Sequence, residues 1–283
     1  MKKTAVVIIN YNDADTTIKL LENIKDYKIL NKIVVVDNAS IDNSLKKLKK
    51  YSSSKIDIIK NSINKGYASG LNYGAKYLIK EIGPCNIIFS NSDIIINKEE
   101  DIKILIKNIS DKYPIVGPVI NEHGNINRGW KLPSVKNEIL ANLPLISRKL
   151  NKKILYSNDH YLKDISQVDV VSGCFFIVDS DALEKINYFD ENTFLYYEEN
   201  ILAKKIKDIN KKELIVNRVE VIHDHSVSID KSINRVRKYK TLKESQAYYV
   251  NNYLKANILE KLLLLITNKI SLFILYIRCL IKS

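Results

Sequence analysis

Four short apolar runs recur through the first hundred residues: Ala5–Asn10 (AVVIIN), Lys32–Asp37 (KIVVVD), Ile56–Ile59 and Asn86–Ser90 (NIIFS). They lack the polar–apolar alternation of a strand wetted on one face, so each reads as a strand buried on both faces. Between them, Ile18, Leu21 and Ile24 mark a helix over Ala14–Tyr27. Asp42 can cap a second helix running to Lys50, and Tyr67–Lys80 reads as a third. Buried strands alternating with helices build βαβ units, and hence a mostly parallel central sheet flanked by helices.

Downstream the pattern weakens. Asn121–Gln167 is irregular and holds the single Trp, Trp130. Val168–Val178 (VDVVSGCFFIV) predicts another core strand and Asp181–Ile186 a short helix. Phe194–Ile206 reads as a loop entering a helix, Glu213–His223 as one or two short strands, and Lys231–Ser283 as helix throughout.

In open α/β sheets, ligands bind beyond the carboxyl ends of the strands. Four such ends here are polar: Asn10-Tyr11-Asn12, Asp37-Asn38-Ala39-Ser40, Asn64-Lys65-Gly66-Tyr67 and Asn91-Ser92-Asp93. Asp37 suits a ribose hydroxyl or a base N–H, and equally an Asx turn. Gly66, Gly70 and Gly74 fall on one helical face, which permits close approach of a ligand or of another backbone. Their spacing is not the G-x-G-x-x-G fingerprint, which argues against a dinucleotide enzyme. Asp93 can hold Mg²⁺ or Mn²⁺ against a diphosphate, or close an ordinary turn. In Tyr196-Tyr197-Glu198-Glu199 two acids open a helix, where the helix dipole welcomes them. Aromatic surroundings would also raise a carboxyl pKa and suit it to general-base work. His223 ends an apolar run and can ligate a metal or a phosphate.

In chain order, VVIINYN (Val6–Asn12), VVDNAS (Val35–Ser40), NKGYASGLNYG (Asn64–Gly74), NSD (Asn91–Asp93), VSGCFFIV (Val171–Val178), FDENTFLYYEEN (Phe189–Asn200) and VIHDHSVS (Val221–Ser228) together resemble family 2 of the glycosyltransferases, in particular its bacterial rhamnosyltransferase-like branch. The resemblance implies a GT-A nucleotide-diphospho-sugar transferase fold over residues 1–228, inverting transfer from a nucleoside-diphosphate sugar to a glycan or lipid-linked hydroxyl, and a role in surface polysaccharide synthesis. By resemblance, Asn10, Tyr11, Asn12, Asp37 and Asn38 would face the nucleotide. Asn64, Gly66, Asn72, Asn91 and Ser92 would line the donor site. Asp93 and His223 would serve Mn²⁺ or Mg²⁺, and Glu199, with Glu198 beside it, would be the base. Arg128 and Trp130 could meet the acceptor. Two positions depart from the family pattern: Asn91 opens the acidic metal element, and Ile201 stands where an Asp usually follows the two acids. A catalytically inactive binding or scaffold protein on the same fold is therefore the alternative.

The remaining segment, 229–283, predicts a basic amphipathic tail. The net charge is +13, and from residue 229 onward eleven Lys/Arg face Asp230, Glu244 and Glu260. Such a tail points to a polyanionic surface. It carries no RNA-binding motif or stacking platform, so an anionic membrane is expected rather than nucleic acid. On Ile258–Ile281 the polar residues Lys261, Asn268, Ser271, Arg278 and Lys282 form a narrow stripe, with Lys269 outside it. The wide apolar remainder must lie in a membrane interface or against protein, a homodimer partner included. No uncharged apolar stretch reaches the ~18 residues of a bilayer span. Cys85, Cys174 and Cys279 form no metal spacing and fit a reducing compartment. The expected location is cytoplasmic, peripheral on the inner face of the cell membrane.

Overall fold

The computed structural model describes residues 2–144, 146, 153–224 and 235–282, with backbone alone at 235 and 280–282. The expected βαβ series is present: β1 (Lys3–Asn10), α1 (Ala14–Ile24), β2 (Lys32–Asp37), α2 (Ser44–Leu48), β3 (Ile56–Lys60), α3 (Tyr67–Ile82) and β4 (Cys85–Ser90). β1 pairs in parallel with β2 and β4, and β2 with β3. Alternate residues of β1 feed two cores: Val6 and Ile8 pack on one face, Ala5, Val7 and Ile9 on the other. That two-sided burial is why the run carries no polar alternation.

The rest of the sheet is mixed. After β5 (Ile94–Ile96) and α4 (Glu99–Lys107) come β6 (Ile115–Glu122), β7 (Asn125–Asn127), α5 (Val135–Ala141), β8 (Ile165–Val168), β9 (Phe175–Asp179), α6 (Ser180–Lys185), α7 (Glu198–Asp208) and β10 (Glu213–His223). The strand order is β3-β2-β1-β4-β9-β6-β10-β5, with β7 on β6 and β8 on β10. β9 runs antiparallel to both β4 and β6, whereas β6 and β10 are parallel. The β6–β10 register shifts just after Pro118 meets Val216, where proline has no N–H to donate.

Three sequence expectations change. The sequence pattern assigned nothing between Asp93 and Asn121, because Gly117-Pro118 inside β6 reads as a turn. The strand expected over Val168–Val178 divides into β8 and β9, with residues 169–174 as a loop held by a Trp130–Val170 bridge. The tail is two helices, α8 (Arg235–Tyr253) and α9 (Ile258–Lys282), rather than one. The end of the VIHDHSVS motif, from His225, and the expected helix start at 231–234 lie outside the described residues.

The tail packs on the catalytic unit. Tyr249, Val250, Ala256 and Leu264 form a third core cluster with Ile201 of α7, against Val135 and Ile139 of α5. Ile201, the residue that departs from the family pattern, is 1% exposed there.

Gly70 and Gly74 answer to packing. A Cβ at Gly74 would lie 2.5 Å from Val7 Cγ1 and 3.0 Å from Val36 Cγ2, so the glycine lets α3 settle on β1 and β2. Gly74→Ala is expected to cost about 1–3 kcal/mol, as overpacking does. A chemical-denaturation midpoint equal to the wild type's would show that α3 does not sit this close.

Candidate donor and catalytic site

Parallel register brings Asn10 and Asp37 side by side at the ends of β1 and β2. Asn10 Nδ2 donates to Asp37 Oδ1 at 3.0 Å and to Ser40 Oγ at 3.1 Å, and the Ser40 N–H donates to Asp37 Oδ2 at 3.2 Å. Asp37 is fully buried, so its carboxylate shapes the loop in the manner of an Asx turn. The Asn12 N–H donates to Ser40 Oγ, and Asn12 Oδ1 accepts the Ile41 N–H. Asn38 carries the mesh onward, donating to Asn64 Oδ1 at 3.1 Å and to the Gly66 carbonyl at 3.2 Å. Of these residues Tyr11 stands out, 39% exposed and able to offer a ring face.

Gly66 and Tyr67 tie this mesh to the segment before α7. Gly66 has φ +108°, and a Cβ there would sit 2.4 Å from the Phe194 carbonyl oxygen. The Tyr67 N–H donates to that same oxygen at 2.9 Å. The Tyr67 hydroxyl donates to Asn91 Oδ1 at 2.6 Å. Burial, then nearby carboxylates, hold this phenol protonated well beyond its ordinary range. Asn91, the first departure from the family pattern, is therefore a hydrogen-bond acceptor for Tyr67. An aspartate there would add a further charge to a buried acidic cluster.

Asp93 and His223 meet where the loop after β4 reaches the end of β10. His223 Nε2 lies 3.1 Å from Asp93 Oδ1, and His223 Nδ1 lies 3.2 Å from Glu122 Oε1 at the end of β6. Both Asp93 and His223 side chains are about nine-tenths buried. Burial works against charge on His223, but hydrogen bonds to Asp93 and Cys174 lift its pKa to about 11. A divalent ion would bind the His223 ring only by displacing a ring proton; carboxylate and neutral imidazole are then suitable Mn²⁺ or Mg²⁺ donors, with Glu122 at the ring's other nitrogen. Among the described residues no three such side chains cluster as a ready cage, so donor oxygens would have to complete the coordination. In that sense the two residues fit a divalent ion shared with a diphosphate.

Glu198 and Glu199 open α7 after two residues in the left-handed region, Tyr196 at φ +76° and Tyr197 at φ +71°. Two bulky residues in that conformation cost of order 1–3 kcal/mol each and persist only where their surroundings hold them. The Tyr197 hydroxyl donates to Glu138 Oε2 at 2.6 Å, Gln246 Nε2 donates to the same oxygen at 2.7 Å, and Ser245 Oγ donates to the Leu195 carbonyl. Glu198 turns inward at 7% exposed, while Glu199 keeps part of its surface open. Burial raises both pKa values, Glu198 further through the charge beside it. Glu199 lies against Gly173, whose Cβ would be 3.4 Å from Glu199 Oε2. The next residue, Cys174, accepts the Asn91 N–H at its carbonyl at 2.8 Å.

One short loop thus touches both Glu199 of α7 and the turn after β4. The sequence reading missed Tyr67, Glu122 and Glu138, because their partners lie 24, 101 and 59 residues away. Asn72 does not line the site. It is buried, and its amide binds the Phe189 backbone and Glu191 Oε1. Trp130 donates from Nε1 to Asn200 Oδ1 at 2.9 Å, one residue from Glu199, whereas Arg128 stacks on Tyr161 at 5.4 Å. A cleft of about 70 Å³ is lined by Ser92, Asp93 and Asp224. A larger one, about 450 Å³ between β8 and α7, holds none of the candidate side chains.

Comparisons with known proteins identify the family and the fold. Residues 5–186 match the model of glycosyl transferase family 2. The chain is 26% identical over 226 residues to the low-salt glycan biosynthesis hexosyltransferase Agl10 of Haloferax volcanii, covering 79% of this chain and 67% of that protein. The fold is similar to GalNAc-T7 with UDP, GalNAc and Mn²⁺ (TM-score 0.63, 18% identity, 81% of this chain and 45% of that one). It is also similar to the mannosyltransferase PcManGT of Pyrobaculum calidifontis in complex with GDP-Man and Mn²⁺ (0.61, 14%, 96% and 70%). A third likeness is to S. aureus TarS 1-349 with UDP-GlcNAc (0.58, 15%, 92% and 69%). The chain spans less than half of the GalNAc-T7 chain it matches. The architecture is the GT-A fold, and the chain belongs to glycosyl transferase family 2.

Proposed function

We propose that this protein is an inverting glycosyltransferase that moves a sugar from a nucleoside-diphosphate donor to the hydroxyl of a glycan or lipid-linked acceptor. The observation that carries this reading is the shared loop: Gly173 lies under Glu199 while Cys174 holds the Asn91–Asp93 turn. In this reading a proton acceptor and a diphosphate-side carboxylate would border one space.

In this reading the Glu199 carboxylate takes the acceptor proton as the hydroxyl oxygen attacks the anomeric carbon. The bond to the diphosphate breaks with its electron pair on the departing oxygen. Burial keeps the Glu199 carboxyl weakly acidic rather than strongly so, and its charge adds to the effect of burial in raising Glu198. Asp93 and His223 would hold a divalent ion, which neutralises charge on the leaving diphosphate when bound. Tyr11 and the Asn12, Asn38 and Asn64 loops would border the nucleotide, and Trp130 the acceptor. Surface polysaccharide synthesis at the cytoplasmic face of a membrane is the setting this reading favours. The second reading, an inactive binding protein, draws on Asn91 and Ile201. The first is met by the Tyr67–Asn91 hydrogen bond and the second by burial of Ile201 under the tail.

Glu199→Gln is expected to lower transfer about 10²–10⁴-fold, the usual worth of a general base, with donor affinity by calorimetry unchanged. Turnover at the wild-type rate would remove Glu199 from the mechanism. Because the base must be ionised and burial raises its pKa, transfer should fall on the acid side through an apparent pKa above the ordinary value of about 4.3. A profile flat down to that value contradicts the assignment. For the metal, Asp93→Asn should abolish the gain in nucleoside-diphosphate affinity that Mn²⁺ gives the wild type. An equal Mn²⁺ gain in both proteins would place the ion elsewhere.

A further inference from the structure

The polarity of α9 is inverted relative to a helix lying on a water-soluble domain. Its inward side is largely polar: Thr267, Asn268 and Ser271 are buried there beside Leu264. Asn142 at the end of α5 donates from Nδ2 to Thr267 Oγ1 at 2.9 Å. Its outward side is apolar, with Leu262, Leu263, Leu265, Ile266, Ile270 and Phe273 all exposed. A helix over water buries the opposite faces. By length and composition, Ile258–Cys279 is apolar enough to cross a bilayer, with mean hydropathy 1.7. Yet its polar side is attached to α5, so lipid cannot surround it.

We infer that α9 lies in the plane of an anionic lipid surface, its outward apolar face in the acyl boundary, and that it thereby presents the catalytic loop to a lipid-linked acceptor. Charge decides between lipid and a second copy of the chain. Lys269 is exposed within this face, and Lys261 and Arg278 are exposed on the polar stripe that flanks it, against Glu260 as the acid of α9. A second copy would bring a second net-positive helix against this one, whereas anionic headgroups neutralise the charge. Lys269 stands among the apolar residues, and its long stem can run along them while the ammonium reaches the headgroups.

The link to the site runs along α5. Asn142, which holds α9, also accepts from Lys243 of α8. Glu138, which accepts the Tyr197 hydroxyl, lies four residues earlier, roughly 6 Å along the helix. The start of α7, which bears Glu199, therefore lies one turn of α5 from the contact that seats α9. The choice of a lipid-linked acceptor rests on the transferase reading; the docking surface does not.

The test is vesicle flotation of the full chain. Co-flotation is expected with vesicles of equal parts phosphatidylglycerol and phosphatidylcholine, weakened by high salt, and not with phosphatidylcholine alone. Leu262→Ser, Ile266→Ser and Phe273→Ser combined should abolish flotation while leaving the denaturation midpoint and the thermal shift with nucleoside diphosphate unchanged. Wild-type protein that floats with neither vesicle, or equally with both, overturns the inference. So does a triple variant that still floats, or light scattering that shows a dimer lost in the triple variant. Absence of any nucleotide-induced thermal shift in the wild type would count against the transferase reading alone.

Discussion

Everything at the catalytic end depends on how the segment Phe189–Glu199 is held. Two consecutive tyrosines in the left-handed region turn the chain sharply into α7, a conformation their bulk resists. Several unrelated parts of the sequence compensate. Asn72 of α3 grips the Phe189 backbone, the Tyr67 N–H takes the Phe194 carbonyl, and Tyr248 and Tyr253 of α8 both donate to Asp190. Glu138 and Gln246 close on Tyr197. The apparent tail is therefore part of the catalytic unit, since α8 supplies half of these restraints.

That arrangement gives the departures from the family pattern a physical reading. Ile201 replaces a polar position with an apolar one, and the place it fills is the seam where α7 meets Tyr249 and Val250. Asn91 replaces a carboxylate where Asp93, Glu198 and Glu199 already crowd a poorly solvated region. Its amide oxygen accepts from a phenol that burial keeps protonated. Removing one charge from such a cluster relieves repulsion on Glu198 and Glu199, whose pKa values burial has already raised.

The sequence made the parallel half of the sheet legible, because the unbroken apolar runs inside β1, β2 and β4 show none of the alternation of a half-exposed strand. It also located the polar strand ends that the fold joins by hydrogen bonds. It did not reveal β6, whose Gly117-Pro118 mimics a turn, nor the division of β8 from β9 at the loop under Glu199. Family resemblance points Asn72 at the donor site, but a motif gives a residue and not its neighbours; here these are the Phe189 backbone and the Glu191 carboxylate. The same ambiguity hid the sense of α9. Periodicity finds a polar stripe, but only tertiary contact shows that Thr267, Asn268 and Ser271 turn toward the protein.

The most direct measurement is an anomalous-difference map from crystals grown with Mn²⁺ and a nucleoside diphosphate. The account requires a peak within coordination distance of Asp93 and His223, with the diphosphate between that peak and Glu199. Manganese and nucleotide bound instead in the cleft between β8 and α7, or a Glu199 facing away from the bound diphosphate, would contradict it.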